Sequence, residues 1–261
     1  MNEHDFDELI EEAEGHPTEG WDFSWLRDRF QATPLPWDFT ALVAEHARAA
    51  SSMLDMGTGG GEWLAALPAR APSTVATEAW PPNVPVATAR LEPLGVDVVQ
   101  VEAAPDNVIQ REGELGGMLP FDDGSFDLIV NRHESFLAKE VARVLSSKGA
   151  FLTQQLGDGV FAEFNELLGA LPPRQEAWQL GRATEQVEAA GLRVQRSDAG
   201  VQAVTFSDVG ALAWYLRMIP WTVPDFSIER YRERLAELHV GRWPIALPLP
   251  AFWLGAVKDP N

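Results

Sequence analysis

The chain has 261 residues, 46% hydrophobic and 23% charged, enough to bury a full core as one large α/β domain or two small ones, so wholesale disorder is excluded. Its 20 Lys and Arg face 39 Asp and Glu, and without the eight acids of the first twenty residues the formal charge of −19 still stands at −11. That field repels phosphate backbones and anionic lipid, which argues against nucleic acid or membrane as partner, and the absence of cysteine excludes disulfides, thiolate metal sites and a thiol nucleophile. No apolar run reaches eighteen residues, and the N-terminus is acidic where a signal peptide is basic, so a soluble, cytoplasmic protein is expected.

In chain order, Phe6, Leu9, Ile10 and Ala13 recur at helical spacing and predict a short amphipathic helix, broken by Gly15, Pro17 and Gly20. An aromatic stretch follows (Trp21, Phe23, Trp25, Phe30, Trp37), then a helix over 38–50 with Phe39, Leu42, Val43, Ala47 and Ala50 on one face. From residue 51 short apolar runs alternate with helical stretches. Strands are predicted over 53–56, 74–77, 96–101, 126–130 and 150–154, with helices over 62–67, 83–94 and 135–147 among them. Such alternation implies βαβ units, right-handed crossovers and a parallel sheet. Beyond residue 156, helices are predicted near 160–170, 182–190, 208–218 and 227–239, and strands over 192–195, 201–206 and 251–257. Pro220, Pro224, Pro244, Pro248 and Pro250 mark the loops between them. The expected organisation is one domain over 51–261 behind a helical N-terminal cap over 1–50.

The most informative segment is Leu54-Asp55-Met56-Gly57-Thr58-Gly59-Gly60-Gly61-Glu62, at a strand-to-helix turn. Glycines there let the backbone bend tightly and approach a ligand closely. The start of the following helix offers unpaired N–H groups that suit a carboxylate or phosphate. A dinucleotide fingerprint needs glycines at offsets 0, 2 and 5. Counted from Gly57, the third position falls on Glu62, and no Lys follows the glycines as a Walker loop requires. What is present is Asp55 followed by Gly57, Gly59 and Gly61.

That arrangement resembles the first motif of the class I S-adenosylmethionine (SAM) dependent methyltransferases. Glu78, 23 residues after Asp55 at the end of the second strand, agrees, since an acid there can accept from both ribose hydroxyls of a nucleoside. Leu119-Pro120-Phe121-Asp122-Asp123-Gly124-Ser125-Phe126-Asp127 resembles the stretch leading into the fourth strand of the small-molecule, type 11 branch of that family. Glu140-Val141-Ala142-Arg143-Val144-Leu145 with Gly149 resembles its next helix and turn. The resemblance covers roughly residues 50–155. It implies a Rossmann-like α/β fold: a seven-stranded, mostly parallel sheet flanked by helices, with an antiparallel last strand. It also implies SAM as cofactor. Gly57, Thr58 and Gly59 would then lie against the methionine part, with Asp55 ordering the turn. Glu78 would hold the ribose, Ala79 and Trp80 would border the adenine, and Asn131 would sit near the transferred methyl group. The family's acid for the adenine amino group has three contenders here, Glu102, Asp106 and Glu114, of which Glu102 is favoured by its distance from the third strand.

Methyl transfer from a sulfonium needs alignment and exclusion of water, and a general base only for an acceptor protonated at working pH. Catalytic candidates belong beyond the carboxyl ends of the strands, at Asn131-Arg132-His133-Glu134. His133 is a base or substrate orienter, or equally a structural histidine; Arg132 contacts an acidic substrate, or pairs with Glu134 or Asp127. The family's Asn/Asp-Pro-Pro-aromatic run for amino-group acceptors is absent here, and arsenic or carbon-5 RNA methylation would need cysteines. Trp21, Phe23, Trp25 and Trp37 could form a lid and Trp214, Tyr215, Met218 and Trp221 the opposite wall, although such stripes are core more often than pocket. The function expected is methyl transfer to a small, partly apolar acceptor covered by the cap and an insertion over about 205–245. A non-catalytic SAM-binding sensor or partner subunit and an NAD(P)-dependent oxidoreductase are the alternatives. Glu62 in place of the third glycine speaks against the last.

Overall fold

Apolar runs bounded by glycine and proline become strands here, and stripes at helical spacing become helices. The described residues are 5–18, 22–108, 116–157, 160–171 and 178–259 of a computed structural model of the chain. They form β1 (Phe30–Ala32), β2 (Ser52–Met56), β3 (Ser73–Glu78), β4 (Asp97–Gln100), β5 (Phe126–Arg132), β6 (Leu145–Leu156), β7 (Leu192–Phe206) and β8 (Ile245–Lys258). The helices are α1 (Phe6–Gly15), α2 (Phe39–Ala47), α3 (Glu62–Ala66), α4 (Asn83–Leu91), α5 (Ala138–Val144), α6 (Val160–Leu168), α7 (Leu180–Ala189), α8 (Val209–Met218) and α9 (Ile228–His239). The described residues within 1–35, 158–175 and 201–250 pack as one unit, and those within 36–157, 176–200 and 251–261 as a second.

The second unit is built on strands in the order β4-β3-β2-β5-β6-β8-β7. The pairs β3–β4, β2–β3, β2–β5 and β5–β6 are parallel, and β8 runs antiparallel to β6. β2 has β3 on one side and β5 on the other, which makes its tip the switch point of the sheet, the place where open α/β sheets bind ligands. Central parallel strands are covered on both faces and must be apolar on both. Leu54, Ile129 and Phe151 accordingly point into one cluster with Phe136 and Val141, and Met53, Leu128 and Leu152 into the other with Val43, Leu64 and Leu91. The stretch over 119–127 is tied down by side chains. Glu140 accepts from the Leu119 N–H at 3.0 Å, and the Arg143 guanidinium donates to the carbonyls of Leu119 and Phe121 at 2.9 and 2.7 Å. Asp127 accepts from the Ser51 and Ser52 N–H groups and the Ser146 hydroxyl, joining the starts of β2, β5 and β6.

The sheet has eight strands where seven were expected, because Phe30–Ala32 pairs antiparallel with 204–206 of β7 in the first unit. Three half-exposed residues carry no alternation to read. The helix expected over 135–147 is shorter: Leu145 already pairs with Phe126 in the sheet, and Lys148 at φ +68° followed by Gly149 bends β6 where a helix would have to continue. The two strands expected over 192–195 and 201–206 are one, β7, and the last strand begins at Ile245.

In the first unit α1 buries Leu9, Ile10 and Ala13 while α8 is buried at every position from Val209 to Leu216. Asp208 caps α8 through the Ala211 N–H at 2.9 Å and takes both arms of the Arg29 guanidinium, at 2.6 and 2.9 Å. Trp214 is fully buried with its ring 5.3 Å from Trp25, and Tyr215 stacks between Phe30 and Phe164 at 5.5 and 5.6 Å. Trp214 and Tyr215 are therefore core. Trp37 belongs to the second unit, Trp221 is exposed, and Trp21 lies outside the described residues. No helix of the described residues is long and apolar enough to cross a membrane.

Candidate functional site

Gly57, Gly59 and Gly61 all have positive φ (+73°, +63° and +80°), a path that side-chain-bearing residues follow only with strain. The turn is closed onto β3 by the Gly57 and Thr58 N–H groups, which both donate to the Thr77 carbonyl at 3.1 and 2.9 Å. From α4, Arg90 closes it on the other side through the Gly60 carbonyl and Glu62. Gly61 is required by packing as well: a Cβ there would come within 2.9 Å of the Leu91 side chain. The helix after the turn, α3, has only five residues. Donors of the turn before it are in part already used, since the Gly59 N–H donates to Glu78 Oε2 at 2.7 Å and the Gly61 N–H to the Thr58 carbonyl at 3.0 Å.

Glu78 ends β3, is buried, and receives the Trp80 N–H on Oε1 at 2.8 Å. Burial raises its pKa against the lowering effect of the N–H groups of Trp80, Gly59 and Ala79. Asp55, buried one residue before the end of β2, is pushed up to about 6 by burial; the Thr58 hydroxyl and the Arg132 charge oppose the shift, and Glu78 adds to it. The Thr58 hydroxyl oxygen is itself buried without a well-formed hydrogen bond.

A cleft opens at these tips, lined by Met56, Gly57, Ala79, Glu102, Leu119 and Glu134 among others. It brings together Gly57, Ala79 and Glu102 from the predicted set. Of the competing acids, Asp106 accepts the Val108 N–H of its own loop, and Glu114 lies outside the described residues. Trp80 follows directly, with 44% of its surface exposed, so a flat face remains free for stacking.

At the tip of β5 the partners come from β6, because Asn131 sits opposite Thr153 and Arg132 opposite Gln154. Asn131 is fully buried, and its Oδ1 accepts from the Thr153 hydroxyl at 2.9 Å and from Gln155 Nε2 at 2.6 Å. Its Nδ2 has no protein partner. Arg132 forms no ion pair with Glu134 or Asp127; its guanidinium lies 5.6 Å from the centre of the Trp63 ring.

His133 turns the chain at φ +64°. Its ring reaches solvent, yet the protein crowded around it and then the Arg132 charge lower its pKa, leaving it neutral at pH 7. The hydrogen bonds fix the tautomer as well. Trp37 Nε1–H donates to Gln154 Oε1 at 2.8 Å, which turns the amide nitrogen of Gln154 toward His133 Nε2 at 3.3 Å. An amide NH₂ can only donate, so Nε2 is the acceptor and the ring proton is on Nδ1.

Two residues with no role in the sequence reading belong here, Gln154 and Gln155, and Glu134, read only as part of the candidate stretch and as a partner for Arg132, takes a different place. Two consecutive amides closing an apolar strand were the available signal for the first pair. The place of Glu134 over Gly57 had no such signal, since it follows from the turn at His133.

Comparison with known proteins agrees with this geometry. Residues 54–153 match the family described as a methyltransferase domain. The fold is similar to BH2331 from Bacillus halodurans, described as a candidate methyltransferase (TM-score 0.58, 19% identity, 84% of this chain and 98% of that one). It is similar also to the YcgJ protein of Bacillus subtilis (0.56, 21%, 85% and 99%) and to the [4+2]-cyclase SpnF (0.50, 17%, 85% and 80%). No curated protein matches the chain. The glycine turn, the acid at the tip of β3 and the match of residues 54–153 to a methyltransferase domain all support a class I SAM-dependent methyltransferase, which implies S-adenosylmethionine as the cofactor.

Proposed function

We propose that the chain transfers a methyl group from SAM to a small, partly apolar acceptor. Its residues fit that cofactor: Glu134 lines the cleft, Glu78 and Asp55 end or nearly end the two strands beside it, all three with raised pKa values, and Asn131 keeps a buried donor free. When bound, SAM supplies the electrophilic methyl of a sulfonium. Gly57, Thr58 and Gly59 hold the methionine part with Asp55 behind them, and Glu78 takes the ribose hydroxyls. Ala79 and Trp80 border the adenine, Glu102 meets its amino group, and Asn131 lies near the transferred methyl. The observation that carries this reading is the lock between Glu78 and the Gly59 N–H, because each carboxylate oxygen retains a lone pair for a hydroxyl.

The protein's own work is alignment and exclusion of water. In this reading neutral His133 orients the acceptor through Nδ1–H, since its Nε2 is occupied by Gln154 and could serve as a base only by giving up that contact. Arg132 offers an exposed cation to an acidic group on the acceptor. The cytoplasm is the proposed setting. Neither the sensor nor the oxidoreductase alternative gains support from the matched family. A fold shared with a [4+2]-cyclase does not by itself fix the reaction, so the cofactor is tested first. Calorimetric titration with SAM, S-adenosylhomocysteine and NAD is expected to show binding of the first two only; binding of NAD alone overturns the assignment.

A further inference from the structure

Glu134 occupies an unexpected place. The left-handed turn at His133 carries the chain back over the tip of β2, and the Glu134 carbonyl is held there by Gln155 Nε2 at 3.2 Å. Its side chain lies so close above Gly57 that a Cβ at that glycine would be 2.5 Å from Glu134 Cγ. Glu134 also lines the cleft with Gly57, Ala79 and Glu102. Asn131, opposite the cleft-lining Met56 in the sheet register, keeps its buried amide nitrogen without a protein partner, an independent sign that a ligand belongs at this edge.

We propose that Glu134 sets the preference of this site for the sulfonium form of the cofactor over its thioether product, by placing a second carboxylate beside the glycine turn. The inference rests on the cofactor reading above. SAM carries one positive charge more than S-adenosylhomocysteine, and the two are otherwise alike apart from the methyl group. A fixed negative charge in a partly desolvated cleft therefore discriminates between them electrostatically. The described groups that face Glu134 do little to neutralise it. Glu78 from β3 is an acid whose charge reaches it, Glu102 lines the same cleft after β4, and its chain neighbour His133 is neutral, while the Arg132 charge acts on Asp55 and His133. Burial, and then the charge of Glu78, push Glu134 up to about 7, so an arriving cation has to expel its proton below that pH. The neutral thioether has no such requirement. Transfer of the methyl group thus removes the charge that the cleft favours, and the product leaves more readily than the substrate.

Calorimetry on the full chain decides this. For the wild type, the ratio of SAM to S-adenosylhomocysteine affinity is expected to rise about fivefold between about pH 6 and pH 7.5, as Glu134 ionises. In Glu134→Gln the ratio is expected to be flat and lower. An equal rise in Glu134→Gln overturns the proposal and leaves the cofactor assignment standing, whereas failure of both ligands to bind the wild type overturns the cofactor assignment and the proposal with it. A second measurement needs no variant. Titration near pH 7 in buffers of different ionisation enthalpy is expected to show more protons released with SAM than with S-adenosylhomocysteine, and equal release overturns the proposal.

Discussion

The tips of β2 and β3 and the tip of β5 lie on one edge of the same sheet and are built in opposite ways. At β2 and β3 the backbone does most of the work: three glycines with positive φ, two N–H groups on the Thr77 carbonyl, and one acid, Glu78, bonded to the main chain. At β5 side chains do it: Asn131, His133 and Glu134 are each held by an amide from β6, and Gln154 is held in turn by Trp37. The contrast teaches where each half tolerates change. A backbone-built half fails when a Cβ is added or its one acid removed, whereas a side-chain-built half can be retuned in small steps.

The largest effect is expected at the backbone-built half. Glu78→Ala should weaken S-adenosylhomocysteine binding by about a hundredfold, since it removes a ribose acceptor and leaves the Gly59 and Trp80 N–H groups unpaired. Unchanged affinity in titration calorimetry would remove the ribose role. Gly57→Ala comes next, with a loss of about 2–3 kcal/mol in urea unfolding from the strained φ and the overlap with Glu134. Adding Glu134→Gly, which removes the Cβ as well as the Cγ, should restore part of it; no recovery would mean that the two halves do not touch as described.

Smaller changes are expected at β5. Because the Glu134 pKa is raised in the fold, to about 7, ionisation is disfavoured there, and stability falls as pH climbs from the ordinary glutamate value through about 7. Relative to the wild type, Glu134→Gln should therefore gain about 1 kcal/mol between pH 5 and 8 in denaturant titrations. The smallest shift belongs to Trp37→Phe. Without the indole N–H the Gln154 amide is free to turn its oxygen toward His133, so the histidine pKa should rise by about half a unit in an NMR titration. A drop would contradict the Nδ1–H tautomer.

The same contrast explains what could be read from the sequence. Gly57, Gly59 and Gly61 were legible because backbone constraints are local, a tight strand-to-helix turn demanding glycine wherever it occurs, whereas Asp55 and Glu78 were singled out by likeness to a family motif. The partners of Asn131 and His133 depend on which residue of β6 lies opposite, and that register is fixed by long-range pairing, including an irregularity between Phe126 and Leu128. Glu140 and Arg143 entered as a family likeness, and the structure gives their physical reason, a clasp on the main chain before β5 in which Glu140 accepts the Leu119 N–H and Arg143 donates to the carbonyls of Leu119 and Phe121. β1 was missed for want of length, and α5 was drawn too long because nothing local announces the bend at Lys148.

The two bonds accepted by Asn131 Oδ1 have one further effect. With Thr153 and Gln155 both donating to the oxygen, the amide cannot rotate end for end, so its nitrogen keeps one direction throughout. Freezing such a side chain on complex formation ordinarily costs about 0.5–1.5 kcal/mol. Here the immobilisation is completed as the chain folds, and whatever oxygen meets that nitrogen finds a donor that is already rigid.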